Sequence, residues 1–143
     1  MMDVGSKPAT RRRAVARAHV VMPEHVRERI AGGTLPKGDV LAAARIAGIM
    51  AAKHTPDIVP LCHPLPLTMV EVTPELVDGG VAIVAAAETT AQTGVEMEAL
   101  TAAVAAALTV YDMTKGLDPA ITIESAYLLE KDGGKSGHWR RPE

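Results

Sequence analysis

The stretch Thr93-Gly-Val-Glu-Met-Glu-Ala-Leu-Thr-Ala-Ala-Val-Ala-Ala-Ala-Leu-Thr-Val-Tyr-Asp-Met-Thr-Lys115 constrains the fold most, because its alanine-rich run reads as one long helix. Thr93 and Glu96 stand at capping-box spacing, where the threonine oxygen accepts an orphan backbone N–H and the glutamate reaches back. Gly116 is expected to end the helix at the first non-helical position. Leu100, Val104, Ala107, Leu108 and Tyr111 recur every three or four residues and predict its buried stripe.

The charges on this helix are placed unevenly. Glu96 and Glu98 fall in the first turn, where the macrodipole favours anions. Asp112 falls in the last turn, where a carboxylate is disfavoured by roughly 0.3–1 kcal/mol, and Lys115 lies three residues on, on the same face. The pair reads either as acid/base machinery or as a solvated ion pair.

A chain of 143 residues suits one domain. Hydrophobic residues make up 48% of it and aromatic residues only 2%, so the core must be built from Ala, Val, Leu and Ile. Such small side chains let helices approach closely, and further burial between subunits is expected. A net charge of -2 argues against a nucleic-acid protein, whose footprint is strongly basic. One cysteine excludes an internal disulfide and fits a reducing compartment. No apolar run reaches the length of a membrane span, and the first residues lack a signal-peptide layout, so a cytoplasmic location is expected.

Residues 1–14, with Arg11, Arg12 and Arg13, read as a flexible basic arm, and residues 133–143 as a loose tail. Ala16 to Met22 alternates like a half-buried strand. Pro23 is expected at the first position of a short helix carrying Val26 and Ile30, closed by Gly32-Gly33. Asp39 caps a second helix running to about Lys53, and Pro56 ends it. Lys37 sits just outside the positive end of that helix. It reads as an ordinary surface lysine or, with the helix end, as a holder of an anion.

Three prolines in Ile58-Val-Pro-Leu-Cys-His-Pro-Leu-Pro-Leu67 forbid a helix and fix an extended course. Within it, Cys62 and His63 lack the further ligands at recognisable spacing that zinc requires. His63 reads as an oriented acid, base or donor to a ligand, or as a satisfied core histidine. Thr68 to Glu75 and Gly80 to Glu88 are strands joined at Asp78-Gly79-Gly80. Ile121 to Leu129 is the last strand. The order strand, helix, helix, strand, strand, helix, strand predicts an α+β, ferredoxin-like split βαβ fold with one extra helix, the helices on one face of an antiparallel sheet. Lys131-Asp-Gly-Gly-Lys-Ser-Gly137 is not a phosphate loop, since Leu129 stands where a first glycine is needed. It still offers N–H groups and two lysines, Lys131 and Lys135, to a phosphate.

Lys37-Gly-Asp-Val40, Ala44-Arg-Ile-Ala-Gly48, Leu61-Cys-His-Pro-Leu65, Thr93 to Thr101, Tyr111-Asp-Met113 and Gly133-Gly-Lys-Ser-Gly137 together resemble the MoaC family of molybdenum cofactor biosynthesis. The resemblance runs from about Asp3 to Gly137. It implies a cyclic pyranopterin monophosphate synthase, a lyase that rearranges a cyclised dihydroguanosine triphosphate into the pterin and releases pyrophosphate, with no cofactor. It further implies catalytic roles for Asp112, Lys115, Lys37 and Lys131. Substrate contacts are implied for Leu61, Cys62, His63, Met97 and Glu98, with Glu96 adjacent, and for Arg12 at the phosphates, to which the reading of the glycine-rich turn adds Lys135. The family's hexamer, a trimer of dimers, implies a homo-oligomer. Ala91 and Gln92 replace a glycine and a basic residue common in the family, which removes one possible phosphate contact.

Helix geometry adds a constraint. Glu98 and Asp112 are fourteen residues apart, hence about 21 Å at 1.5 Å per residue. A pterin-sized ligand cannot span that within one chain, so two subunits are expected to share each site. Two rivals remain at this point: a nucleotide-binding module without turnover, and a small metalloprotein using Cys62, His63 and His54.

Overall fold

In the computed structural model, which describes residues 1–142, the first strand is longer than its apolar part. β1 (Thr10–Val21) turns Ala14, Ala16, Ala18 and Val20 to one face, all of them buried. Residues 10–14, expected in a flexible arm, are therefore paired strand. Arg11 bonds Glu88, and Arg13 reaches Glu88 at 3.8 Å and Glu130 at 3.3 Å, carboxylates of the strands on either side. Those partners explain how an arginine run enters a sheet.

Pro23 is the residue before α1 (Glu24–Ala31) rather than its first residue, and Val26 and Ile30 are buried as expected. Asp39 caps α2 (Val40–Lys53), its carboxylate accepting the Ala42 N–H at 3.1 Å. Pro56 does not stop the chain's helical course: it lies in the first turn of a one-turn helix, α3 (Thr55–Ile58), where its missing N–H costs nothing. β2 (Leu67–Val77) and β3 (Gly80–Ala91) form the expected hairpin. Gly79 takes φ 84°, and a Cβ on Gly80 would collide with the Val20 carbonyl of β1.

The long helix, α4 (Glu96–Thr114), begins later than its capping-box signal implies. Val95 occupies the cap position with no side-chain bond. Glu96 instead lies 3.9 Å from Lys131 of β4 (Thr122–Asp132), so Thr93 has no reciprocal partner. The last turn ends in right-handed conformation at Lys115, and Gly116 does not adopt the left-handed geometry. The buried face also differs. Ala99, Ala102, Ala103, Ala106, Ala107 and Val110 face the core, while Val104 is 36% and Leu108 54% exposed. Close approach is the reason: a Cβ on Gly48 of α2 would stand 2.9 Å from the Ala102 carbonyl, a gap that only small residues on α4 can line.

All strand pairs are antiparallel, in the order β2-β3-β1-β4-β5. This is the ferredoxin-like arrangement, with α2 and α4 packed together on one face of the sheet. The first crossover holds α1 and the short α3 besides α2, where one extra helix was expected. The tail is not wholly loose, because β5 (Trp139–Arg140) pairs with Glu130 and Lys131. Arg141 then stacks 4.8 Å over the Tyr127 ring. No helix among the described residues is long and apolar enough to cross a membrane.

Candidate active site

The expected site residues gather at two places, one at each end of α4. At its C-terminal end, Lys37 arrives from the turn before α2 and places Nζ 2.9 Å from Asp112 Oδ2 and 3.3 Å from the Asp112 carbonyl. Lys115 Nζ lies 3.4 Å from Asp112 Oδ1. Each carboxylate oxygen thus faces its own ammonium group. The hydrogen bond from Lys37, then that from Lys115, holds the Asp112 carboxyl below the usual carboxylate range. Asp112 is therefore a carboxylate, able to accept a proton, and the lysines are its donors. Pro36, Met113 and Leu117 complete a cleft of about 210 Å³ around the three. Two cations against one anion leave this cleft a net positive charge, suited to a phosphorylated ligand.

At the N-terminal end of α4, the proline-fixed loop presents Leu61, Cys62 and His63 beside Glu96 and Met97 in a cleft of about 360 Å³. Glu98 lies beneath, 2% exposed, a carboxyl taken out of water by the packing of α4. Its Oε2 accepts from Cys62 Sγ over 3.6 Å, and Oε1 has no hydrogen-bond partner among the described residues. Burial raises the Glu98 pKa. Burial, followed by the charge of Glu98, pushes the Cys62 thiol up to about 11, so it stays a donor. Glu98 Oε1 is thus a buried carboxyl oxygen without a partner, an acceptor or, when protonated, a donor.

Lys131 belongs to this second group, through Glu96, and not with Asp112, Lys37 and Lys115. Arg12 faces the helix-bearing side of the sheet and donates to the Gln92 carbonyl at 3.5 Å. It is enclosed by the Gly133-Gly134 turn, where a Cβ on Gly134 would run into its guanidinium. Lys135 stands exposed in the same turn. His63 borders this cleft and the adjoining one. His54, a ligand in the metalloprotein reading, faces Asp57 at 3.2 Å instead, and no group of three or more His, Cys, Asp or Glu that could hold a metal ion occurs among the described residues.

Sequence reasoning missed the residues before Arg12. Asp3, Val4 and Lys7 border the second cleft, in a segment expected to be flexible. The signal for local order was the Asp3-Val-Gly5 spacing of an Asx turn, whose bond from Gly5 N to Asp3 Oδ1 measures 2.8 Å.

Known proteins similar to this chain cover all or nearly all of it. A protein named cyclic pyranopterin monophosphate synthase from Thermomicrobium roseum is 55% identical over 146 residues, covering all of this chain and 87% of the relative. Proteins of the same name from Novosphingobium aromaticivorans and Pelotomaculum thermopropionicum are each 53% identical, covering 100% and 99% of this chain and 91% and 84% of their own lengths. A sequence model of the MoaC family matches residues 1–134. With its ferredoxin-like sheet and the paired clusters at the ends of α4, the chain belongs to the MoaC family.

Proposed function

We propose that this chain is a cyclic pyranopterin monophosphate synthase of molybdenum cofactor biosynthesis. It takes a cyclised dihydroguanosine triphosphate, rebuilds it as the pterin with a cyclic phosphate, and releases pyrophosphate, a lyase reaction that needs no cofactor. The observation that carries this reading is the Asp112 carboxylate held between the Lys37 and Lys115 ammonium groups. Ring opening and closure require protons to move on and off nitrogen and oxygen, and this trio supplies an acceptor beside two donors. The same cations, with Lys131, Arg12 and Lys135 contributed at the other cleft, offset the charge of the leaving pyrophosphate.

Neither cleft holds both groups. The length of α4 separates them by about 21 Å, which supports sites shared between two subunits, the Asp112 end of one facing the Glu98 end of another. A homohexamer built as a trimer of dimers provides that pairing. Exposed Ile46 and Met50 on α2, and Val104 and Leu108 on α4, give apolar surface for subunit contact. The lone cysteine and this substrate suit the cytoplasm.

The test supplies purified protein with the cyclised triphosphate and follows pyrophosphate and pterin together. Both products from the wild type, and neither from Asp112→Ala, support the synthase. Tight binding with no release would make the chain a nucleotide-binding module instead.

A further inference from the structure

We propose that residues 2–7 are a wall of the substrate cleft, that Lys7 on this strap is a phosphate-binding residue, and that Gln92 is the positioning residue that latches the strap in place. The proposal rests on the synthase reading, since it assigns Lys7 to the same triphosphate.

Three observations carry it. The strap is folded rather than trailing: Gly5 N donates to Asp3 Oδ1 at 2.8 Å, and Lys7 N donates to the Val4 carbonyl at 3.0 Å, two successive turns. It is fastened to the body at Gln92, whose Nε2 donates to the Gly5 carbonyl at 3.4 Å, while Val4 is half-buried in the crevice between the two adjoining clefts. The strap closes one side of the cleft that holds Cys62, His63 and Met97.

Charge then singles out Lys7. In this cleft Glu96 is matched by Lys131, and Glu98 is buried beneath the floor. The Asp3 carboxylate accepts from its own turn. No carboxylate among the described residues lies within ion-pair distance of Lys7, which is exposed at the cleft wall. An unmatched ammonium group at the border of a cleft is placed for an anionic ligand rather than for the fold.

Gln92 thereby has a purpose. Its amide holds the strap that brings in the charge of Lys7.

Binding of inorganic tripolyphosphate to the full chain, measured by calorimetry, tests this without requiring turnover. Lys7→Ala should weaken binding about tenfold and Lys7→Arg should retain it. Gln92→Ala should weaken it about threefold, and the double variant should be no weaker than Lys7→Ala alone, because Gln92 acts through Lys7. Binding by Lys7→Ala within twofold of wild type, or a wild type that does not bind tripolyphosphate, overturns the role of Lys7. Full additivity of the two losses overturns the role of Gln92. Turnover by the wild type, with its loss in Asp112→Asn, reports on the synthase reading separately, so either can fail while the other stands.

Discussion

Lys37 Nζ stands 2.9 Å from Asp112 Oδ2 although 75 residues separate the two in the chain. The contact joins the turn before α2 to the last turn of α4, and it faces Asp112 with a cation that helix geometry alone does not supply. Replacing Asp112 by Asn keeps the size of the side chain and removes the proton acceptor. Asp112→Asn should therefore lower pterin formation by about 10²-fold or more, while its thermal melt stays close to wild type because the side chain is 55% exposed.

The same contact sets a pH dependence. Lys37, more than Lys115, lowers the Asp112 pKa, so the carboxylate stays charged as pH falls through the ordinary carboxylate range. Its favourable pairing is present above the unfolded carboxylate pKa and lost only as pH drops through the lower folded value. In Lys37→Met the acid limb of the kcat/KM profile should move up in pH toward that of an ordinary carboxylate. An unmoved limb would assign it to another group.

Glu98 gives the opposite sign. Its pKa is raised, chiefly by burial, so the folded chain favours the protonated carboxyl. That preference favours folding in full below the unfolded pKa and is lost as pH climbs through the folded one. Glu98→Gln should melt higher than wild type at pH 8, and the gap should shrink as pH is lowered through the raised folded value and be smallest below about 4.3, the ordinary glutamate value. Equal gaps at both extremes would mean that burial of the charge is not what costs stability.

Asp112→Ala and Glu98→Ala damage opposite ends of α4. Mixed in one assembly, the two inactive chains should recover part of the wild-type turnover through hybrid sites that contain one intact half from each. No recovery in a verified heteromer counts against shared sites.

Gly48 tests the packing beneath both clusters. An added Cβ there meets the Ala102 carbonyl at 2.9 Å and the Val72 methyls at 3.0 and 3.1 Å. Alanine would gain helix propensity of about 1 kcal/mol, but forcing the helices apart costs about 1–3 kcal/mol. Gly48→Ala should lower the melting temperature by a few degrees; an unchanged or higher value would show that α2 can shift without penalty.

What could be read from the sequence was what local chemistry decides. Asp39 as a cap and Gly79-Gly80 as a turn depend on neighbours within three residues, and both stand as expected. The matched strings named the candidate residues, which the fold gathers at the two ends of α4, and helix rise gave the distance between those ends. The inner face of α4 was misjudged because it is written in alanine: Val104 and Leu108 carry the stronger apolar signal, yet the side chains that fit against Gly48 and the sheet are the small ones. Arg11 and Arg13 read as a tail because their carboxylates come from Glu88 and Glu130, 77 and 117 residues away, and only sheet register joins them. The place of residues 2–7 was hidden for the same reason, since the anchor at Gln92 lies 87 residues along from Gly5.

The small-residue seam of α4 makes that helix a gauge block. Adding one residue inside it would turn everything beyond by about 100°, carrying Asp112 away from Lys37, and adding seven would restore the phase but lengthen the span by about 10 Å. Neither change can be absorbed by sliding, because alanine against glycine leaves no slack to repack. Variation in length is thus confined to the turns around α4, and the interval between a carboxyl that stays charged and one that resists charge is counted out in helical turns.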